Sequence, residues 1–322
     1  MSKYLVAGGA GFLGSHMVKE LMKEGHEVIV VDNLCTGNFD NIKKFFTNQK
    51  FHFWCMDICD LNLKHFNTRI DGIYNFACPA SPVHYARIPI ETTLACTLGL
   101  HKLLEVAKEH KCRILQTSTS EVYGDPRIHP QPESYWGNVN SYGPRSCYDE
   151  GKRAGEALLY DYHHKYGVDT RIVRIFNTYG PNMDIDDGRV VSNFIVQALR
   201  NEPITIYGDG EQTRSFCFVD DMIAGIREVY LQNRTHDPIN IGNPNEFTMN
   251  ELANEILSRT KSNSCIEYHK APKDDPKQRQ PNIKKIKELT GWYPKIALSF
   301  GLECSIPYFR EAICRNSVRS VP

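Results

Sequence analysis

The chain lacks an excess of charge of either sign: 38 Lys and Arg balance 38 Asp and Glu across 322 residues. That balance excludes a protein whose main task is to coat nucleic acid or an anionic membrane. A local basic cleft for a small anion stays open. Also missing is any apolar run near the roughly 18 residues a transmembrane helix needs. A glycine-rich turn starts at Gly8, which leaves no room before it for a cleavable signal peptide. Cysteine is not scarce, but its eleven copies form no CxxC pair and no Cys/His cluster at zinc spacing, so no metal site is expected. An odd count of scattered thiols suits a reduced, cytoplasmic chain. Internal repeats, heptads and low-complexity tails are absent too. With 41% hydrophobic and 24% charged residues, the composition is that of a globular protein of one large domain or two.

What is present first is a rhythm. Residues 4–7 form a short apolar run, and 13–24 carry apolar positions at helical spacing. Residues 26–32 (HEVIVVD) are β-branched and continuous, as in a strand buried on both faces. Further strands are expected at 51–56, 72–77, 112–118 and 170–176. Helices are expected at 91–110, with Leu94, Leu98 and Leu104 on one side, and at 148–166. Repeated β-α-β units predict an α/β fold: a Rossmann-like, doubly wound parallel sheet covered by helices on both faces. After Asn177 the rhythm breaks into short strands at 204–207 and 213–219 among helices at 190–200 and 220–231. Residues 1–177 therefore read as the nucleotide-binding domain, with a returning segment near 217–247 that includes the strand 238–242. Residues 178–322 read mainly as a smaller α/β substrate lobe. The basic stretch 283–289 reads as a solvated helix face rather than a nucleic-acid patch.

Gly8, Gly11 and Gly14 stand in GGAGFLG between a strand and a helix. The first permits a tight turn, the second lets a pyrophosphate approach the backbone, and the third lets helix pack on strand. The free N–H groups of the helix N-terminus then face the phosphates. Asp32 closes the second strand, where a carboxylate can accept both adenosine ribose hydroxyls and repel a 2′-phosphate. NAD is thus favoured over NADP. Asp57 ends the third strand and either meets the adenine ring or forms a turn.

Tyr148 and Lys152 share a helix face at i and i+4. A phenol with an ordinary pKa near 10 is a poor base at neutral pH, and a neighbouring ammonium favours the phenolate. Such a tyrosine can take the proton of a sugar hydroxyl while hydride leaves the same carbon. Thr119 and Glu121, in TSTSEVYG, follow the fifth strand, at the sheet edge where ligands of open α/β sheets sit. Thr119 can hydrogen-bond the reacting oxygen, and Glu121 sets a carboxylate beside it.

Long motifs then carry a resemblance: GGAGFLGSH, CPASPVHY, TSTSEVYGDP, ESYWGNVN, GPRSCYDEGKR, RIFNTYGP, DDGRVVSNF, YGDGEQTRSF and DDPKQRQPNI. The chain resembles the extended short-chain dehydrogenase/reductases, and among them the UDP-glucuronate decarboxylases, from about residue 3 to about 310. The resemblance implies oxidation of UDP-glucuronate at C4 by bound NAD, loss of carbon dioxide from the 4-keto acid, and reduction to UDP-xylose. Tyr148, tuned by Lys152, would move the O4 proton, and Thr119 would share the O4 hydrogen bond. Glu121 would lie near the C5 carboxylate, steering it or ordering a water. Arg214 would help protonate C5 and, with Arg279, hold the diphosphate or the reacting sugar. Phe12, Leu13, Asn33, Thr36, Gly37, Ile58, Phe76 and Thr178 would join Gly8, Gly11, Asp32 and Asp57 around the cofactor, with Arg189 between nicotinamide and sugar. Ser81, Tyr85, Ser120, Asn177 and Tyr207 would line the UDP-sugar site.

Ser120 discriminates between related chemistries. The 4,6-dehydratases have Asp there, because expelling water needs an acid; loss of carbon dioxide does not. Sugar-nucleotide 4-epimerases lack the glutamate. The alternatives are an oxidative decarboxylase that releases UDP-4-keto-pentose and NADH, a 4-epimerase or 4,6-dehydratase, and a non-catalytic NAD sensor on the same scaffold. The sequence departs from the resembled pattern at Cys96 and Leu100, where Asn and Thr are usual, and at Asn38, often Arg. The usual Asn bonds to the sheet, so Cys96 puts sheet detail in question. By resemblance the chain is a homodimer paired through 91–110 and 148–166.

Overall fold

β-branched runs separated by amphipathic stretches can bury both faces of a sheet only if helices cover it. The computed structural model, which describes residues 1–270 and 278–319, has that arrangement. Seven strands form one parallel sheet: β1 (Lys3–Ala7), β2 (Glu27–Asp32), β3 (Phe51–Cys55), β4 (Gly72–Asn75), β5 (Arg113–Thr119), β6 (Thr170–Ile175) and β7 (Ile239–Ile241). Their spatial order is β7-β6-β5-β4-β1-β2-β3. The order reverses beside β1, which pairs in parallel with both β2 and β4. A crevice opens there at the strand C-termini, the usual ligand position of such sheets. The returning segment takes its place in the sheet, with Ile239 opposite Val173.

Helices α1 (Phe12–Lys23), α2 (Pro82–Arg87), α3 (Pro89–Leu94), α4 (Leu100–His110), α5 (Ser146–Tyr166), α6 (Val190–Arg200), α7 (Val219–Leu231), α8 (Met249–Thr260), α9 (Lys284–Thr290) and α10 (Leu298–Arg319) complete the chain. One core lies under α3, α4 and α5, where Leu103, Leu104, Ile114 and Leu159 are fully buried. The other joins α1 and α7 to the helices of the C-terminal half through Met17, Met222, Ile226 and Leu302. Smaller parallel pairs link Thr178–Tyr179 with Cys217–Phe218 and Ile204–Tyr207 with Ile266–His269. No described helix is long and apolar enough to cross a membrane.

Two expectations are corrected. The helix read at 91–110 is interrupted by a π-turn, Ala95–Gly99. The extra residue rotates the stripe: Leu104 is buried, whereas Leu94 and Leu98 are 43% and 40% exposed. The strand read at 213–219 is two pieces, Thr213–Ser215 and Cys217–Phe218, and they pair with different partners.

Candidate active site

The turn after β1 is shaped by close approach. Gly8 has φ +71°, and a Cβ there would stand 2.7 Å from the Ala77 nitrogen. At Gly14 a Cβ would stand 2.1 Å from the Gly8 carbonyl oxygen, so α1 can reach the strand only without a side chain. Gly11 is the N-cap of α1; no side chain caps it and no acidic residue sits in the first turn. The amide donors and the positive dipole end are therefore left for an anion. Asp32 is buried at 8% exposure and accepts hydrogen bonds from the amides of Ala10 and Leu34, each at 2.9 Å. Burial raises its pKa, and those amides pull it back. Asp57 does form a turn: it accepts from the Cys59 amide at 2.8 Å and from Asn33 Nδ2 at 2.8 Å, yet it also lines the cavity.

The second half of the site stands at the end of β5. Thr119 Oγ1 accepts from the Glu121 amide at 3.2 Å and so starts the turn Ser120–Tyr123. Opposite it, α5 presents Tyr148 and Lys152, 6% and 5% exposed. Lys152 Nζ donates to the Thr117 carbonyl at 2.8 Å and lies 5.7 Å from the Tyr148 ring centre. The sequence reading made Lys152 lower the tyrosine pKa. Here burial dominates and pushes Tyr148 well up, against a hydrogen bond with Thr119 that lowers it. The Tyr85 ring stacks on Tyr148 at 5.2 Å and 8°. Its hydroxyl is buried without a hydrogen-bond partner among the described residues.

Both halves open into one cavity of about 730 Å³. Every residue singled out from the sequence lines it except Tyr207, which is 51% exposed and instead faces the His269 ring at 6.0 Å. Some of these residues already have partners. Ser81 Oγ donates to the Asp187 carbonyl. Arg189, read as a ligand donor, is paired with Asp187, Nε to Oδ1 at 2.5 Å, and stands over the Phe12 ring at 5.8 Å. Arg214 Nη1 donates to the Thr213 carbonyl at 2.9 Å.

Arg279, read as a diphosphate or sugar contact, is ion-paired with Glu121, with Nη2 3.1 Å from Oε2. Burial would raise the Glu121 pKa, but Arg279 and Arg145 outweigh it and hold the carboxyl below its ordinary value. The glutamate is therefore a fixed anion rather than a proton donor. The Cys96 replacement leaves the sheet intact. Asn75 Nδ2 donates to Gln116 Oε1 at 2.6 Å, and Thr117 Oγ1 donates to the Asn75 carbonyl at 2.8 Å. Asn38 caps the short turn Phe39–Asn41 through Oδ1 on the Asp40 amide, 2.9 Å.

The chain matches the family model described as GDP-mannose 4,6 dehydratase over residues 5–304. It is 52% identical to UDP-glucuronic acid decarboxylase 5 of Arabidopsis thaliana over 96% of its own length and 89% of the relative's. The chain belongs to the UDP-glucuronic acid decarboxylase family. UDP-glucuronic acid decarboxylase 1 of Xenopus tropicalis is 45% identical over 97% of this chain and 73% of that one. Among solved structures, the UDP-glucuronic acid 4-epimerase of Bacillus cereus in complex with UDP-glucuronic acid and NAD superposes with a TM-score of 0.86 at 28% identity, covering 96% of this chain and 99% of that one.

Two residues of this decarboxylase-family chain escaped the sequence reading. Arg145 is paired with Glu121 and stands 3.7 Å from Asp149, Nε to Oδ2. The signal was available: Arg145 lies three residues before Tyr148 in GPRSCYDEGKR, at the start of the same helix. Asp149 has a buried Oδ1 with no hydrogen-bond partner among the described residues. Burial, then repulsion from Glu121, raises its pKa to about 7.

Proposed function

We propose that the chain converts UDP-glucuronate to UDP-xylose through a 4-keto intermediate, using tightly held NAD. The observation that carries this reading is the meeting of Tyr148, Thr119 and the ionised Glu121 in the same cavity as the glycine turn. Ser120 stands where elimination of water would need an acid.

The residues present fit the cofactor. The uncapped N-terminus of α1 suits a pyrophosphate. A Cβ at Gly11 would meet only the Gly8 carbonyl oxygen, at 3.3 Å, so a ligand can come close to this backbone. Asp32 closes the β2 wall as a ribose acceptor. Gly8, Phe12, Leu13, Asn33, Thr36, Gly37, Asp57, Ile58, Phe76 and Thr178 complete the contact set, and Arg189 adds a guanidinium at its inner end. When bound, NAD supplies the hydride acceptor for C4 and the hydride that later returns.

The chain's own groups move protons and place charge. Tyr148 takes the proton from O4 and gives it back, with Thr119 sharing the hydrogen bond. Lys152 offsets the phenolate as it forms, which an unassisted buried phenol would resist. With the ketone at C4, the C5 carboxylate is β to a carbonyl and its bonding electrons flow into an enolate. Glu121, locked as an anion, disfavours a second carboxylate in the ring plane, and its two arginines keep it charged. Arg214, which lines the same cavity, helps protonate C5 directly or through a water. Ser81, Tyr85, Ser120, Asn177 and Arg279 shape the sugar side of the pocket.

Exposed apolar side chains on α3, the π-turn and α5, namely Ile90, Leu94, Leu98 and Tyr160, support a homodimer through 91–110 and 148–166. Eleven free cysteines support a reducing, cytoplasmic setting. The test is to incubate purified protein with UDP-glucuronate and follow products by mass spectrometry. UDP-xylose with no net NADH is expected. Accumulating NADH with UDP-4-keto-pentose would mark an oxidative decarboxylase, and UDP-galacturonate would mark an epimerase.

A further inference from the structure

Cys78 and Cys96 come from different elements and meet beside the catalytic pair. Cys78 follows β4 in the loop that lines the cavity. Cys96 sits in the π-turn Ala95–Gly99 and is 2% exposed. Their sulfurs are 3.1 Å apart, closer than an ordinary van der Waals contact between thiols. The absence of a side chain at Gly151 makes room: a Cβ there would stand 3.3 Å from the Cys96 sulfur. Cys96 also occupies a position where the resembled pattern has asparagine, so the second sulfur is a feature of this chain.

We propose that Cys78 and Cys96 form an oxidisable dithiol in the wall of the cofactor cavity, which a small peroxide converts to a disulfide that arrests turnover. The cavity admits the oxidant to Cys78, while Cys96 resolves from behind. The hydrogen bond between the sulfurs, with Lys152 nearby, favours a single shared negative charge; Cys96 is drawn down by the Cys78 hydrogen bond, and Cys78 is pushed well up by burial. Either sulfur can be the donor across the contact, and the form with the charge on Cys78, the sulfur that lines the cavity, is the one that peroxide meets.

The Cys78 thiolate attacks one peroxide oxygen, the O–O bond breaks, and hydroxide leaves to be protonated to water. The Cys96 sulfur then attacks Cys78–SOH. The S–S bond forms, the S–O bond breaks, and the oxygen leaves as a second water with the Cys96 proton. Two electrons pass from the thiols to the peroxide, and a dithiol reductant reverses the step.

The bond draws the sulfurs in by about an ångström, to ~2.05 Å. Cys78 adjoins Ala77, whose nitrogen would lie 2.7 Å from a Cβ at Gly8, so the loop cannot shift without disturbing the phosphate turn. A displacement of that size at an active site costs on the order of 10²-fold in rate.

The protein is treated with hydrogen peroxide, remaining thiols are alkylated with iodoacetamide, and peptides are mapped by mass spectrometry. A Cys78–Cys96 peptide lighter by two hydrogens is expected, with turnover of UDP-glucuronate down roughly 10²-fold and both restored by dithiothreitol. C96S and C78S should each fail to cross-link and should keep their turnover at the same peroxide dose; either variant suffices if the other does not fold. The dithiol is overturned if both cysteines are still alkylated at a dose that oxidises exposed Cys35, or if Cys147 proves to be the partner. Its arrest of turnover is overturned if C96S and C78S lose activity as fast as the parent. The cross-link does not depend on the proposed reaction; only the activity readout rests on it, so the two can fail separately.

Discussion

The two ends of the cavity hold charge in different ways. The nucleotide end uses mainly backbone: one turn between β1 and α1, the uncapped start of α1, and a carboxylate at the end of β2 fixed by the Ala10 amide. The sugar end uses side chains. Glu121 is held by Arg145, 24 residues away, and by Arg279, 158 residues away. A backbone site costs little to build, since its donors belong to the fold. A side-chain cluster at 8–28% exposure takes three charges largely out of water, and it is tolerable only while every partner is present. The nucleotide end should therefore fail by steric intrusion, and the sugar end by loss of a counter-charge.

The largest effect is expected from Y148F, which removes the hydroxyl that the proposed reaction uses to move the O4 proton. It should lower kcat by about 10³-fold while leaving NAD binding measurable by fluorescence titration. Retained turnover would detach Tyr148 from the chemistry. Next is E121Q, expected to lower kcat by roughly 10²-fold. It also leaves Arg279 without its counter-charge and Arg145 with only Asp149, 3.7 Å away, at about 3 kcal/mol of stability. The double variant E121Q/R279M should recover part of the melting temperature and none of the turnover. If it recovers neither, the cluster is not a charge-balanced unit.

G14A tests the other end. A methyl 2.1 Å from the Gly8 carbonyl oxygen should force the turn open, cost about 1–3 kcal/mol and weaken NAD, with kcat at saturating cofactor largely kept. Unchanged NAD affinity would mean that the turn does not hold it.

The last effect is read in stability alone, as a pH slope. Asp149 titrates at about 7 in the fold, against about 3.9 in an unfolded chain. Between those values the folded state holds the extra proton. Its contribution is complete below about pH 4 and is lost as pH rises toward 7, by at most about 1.4 kcal/mol per pH unit. Denaturant midpoints across that range should show the decline, and D149N should flatten it.

Much of this was legible in the chain itself. GGAGFLG, Asp32 and the Tyr148–Lys152 pair lie within single β-α-β units, where spacing along the sequence becomes distance in space. The stripe through Leu94, Leu98 and Leu104 was misread because one extra residue in the π-turn rotates everything before it relative to α4. Tyr207 is expected at the UDP-sugar site by resemblance; its strand sets the ring beside His269, outside the cavity lining. The pairing of Arg279 with Glu121 is not legible in the linear order, which sets the two 158 residues apart.

By itself the sequence determined the alternation of strands and helices, the glycine turn before α1, and the pairing of Tyr148 with Lys152 on one helix. These rest on local propensity and on spacings of a few residues. Only the tertiary structure decided that Glu121 is an anion clamped by two arginines, that burial pushes the Tyr148 pKa up, and that Cys78 meets Cys96. Those outcomes depend on desolvation and on contacts across β4, β5 and α5, which no spacing along the chain records. The zero net charge of the sequence recurs in miniature there: Glu121 faces Arg145 and Arg279, Asp187 faces Arg189, and what is left for an anion at the nucleotide end is chiefly backbone.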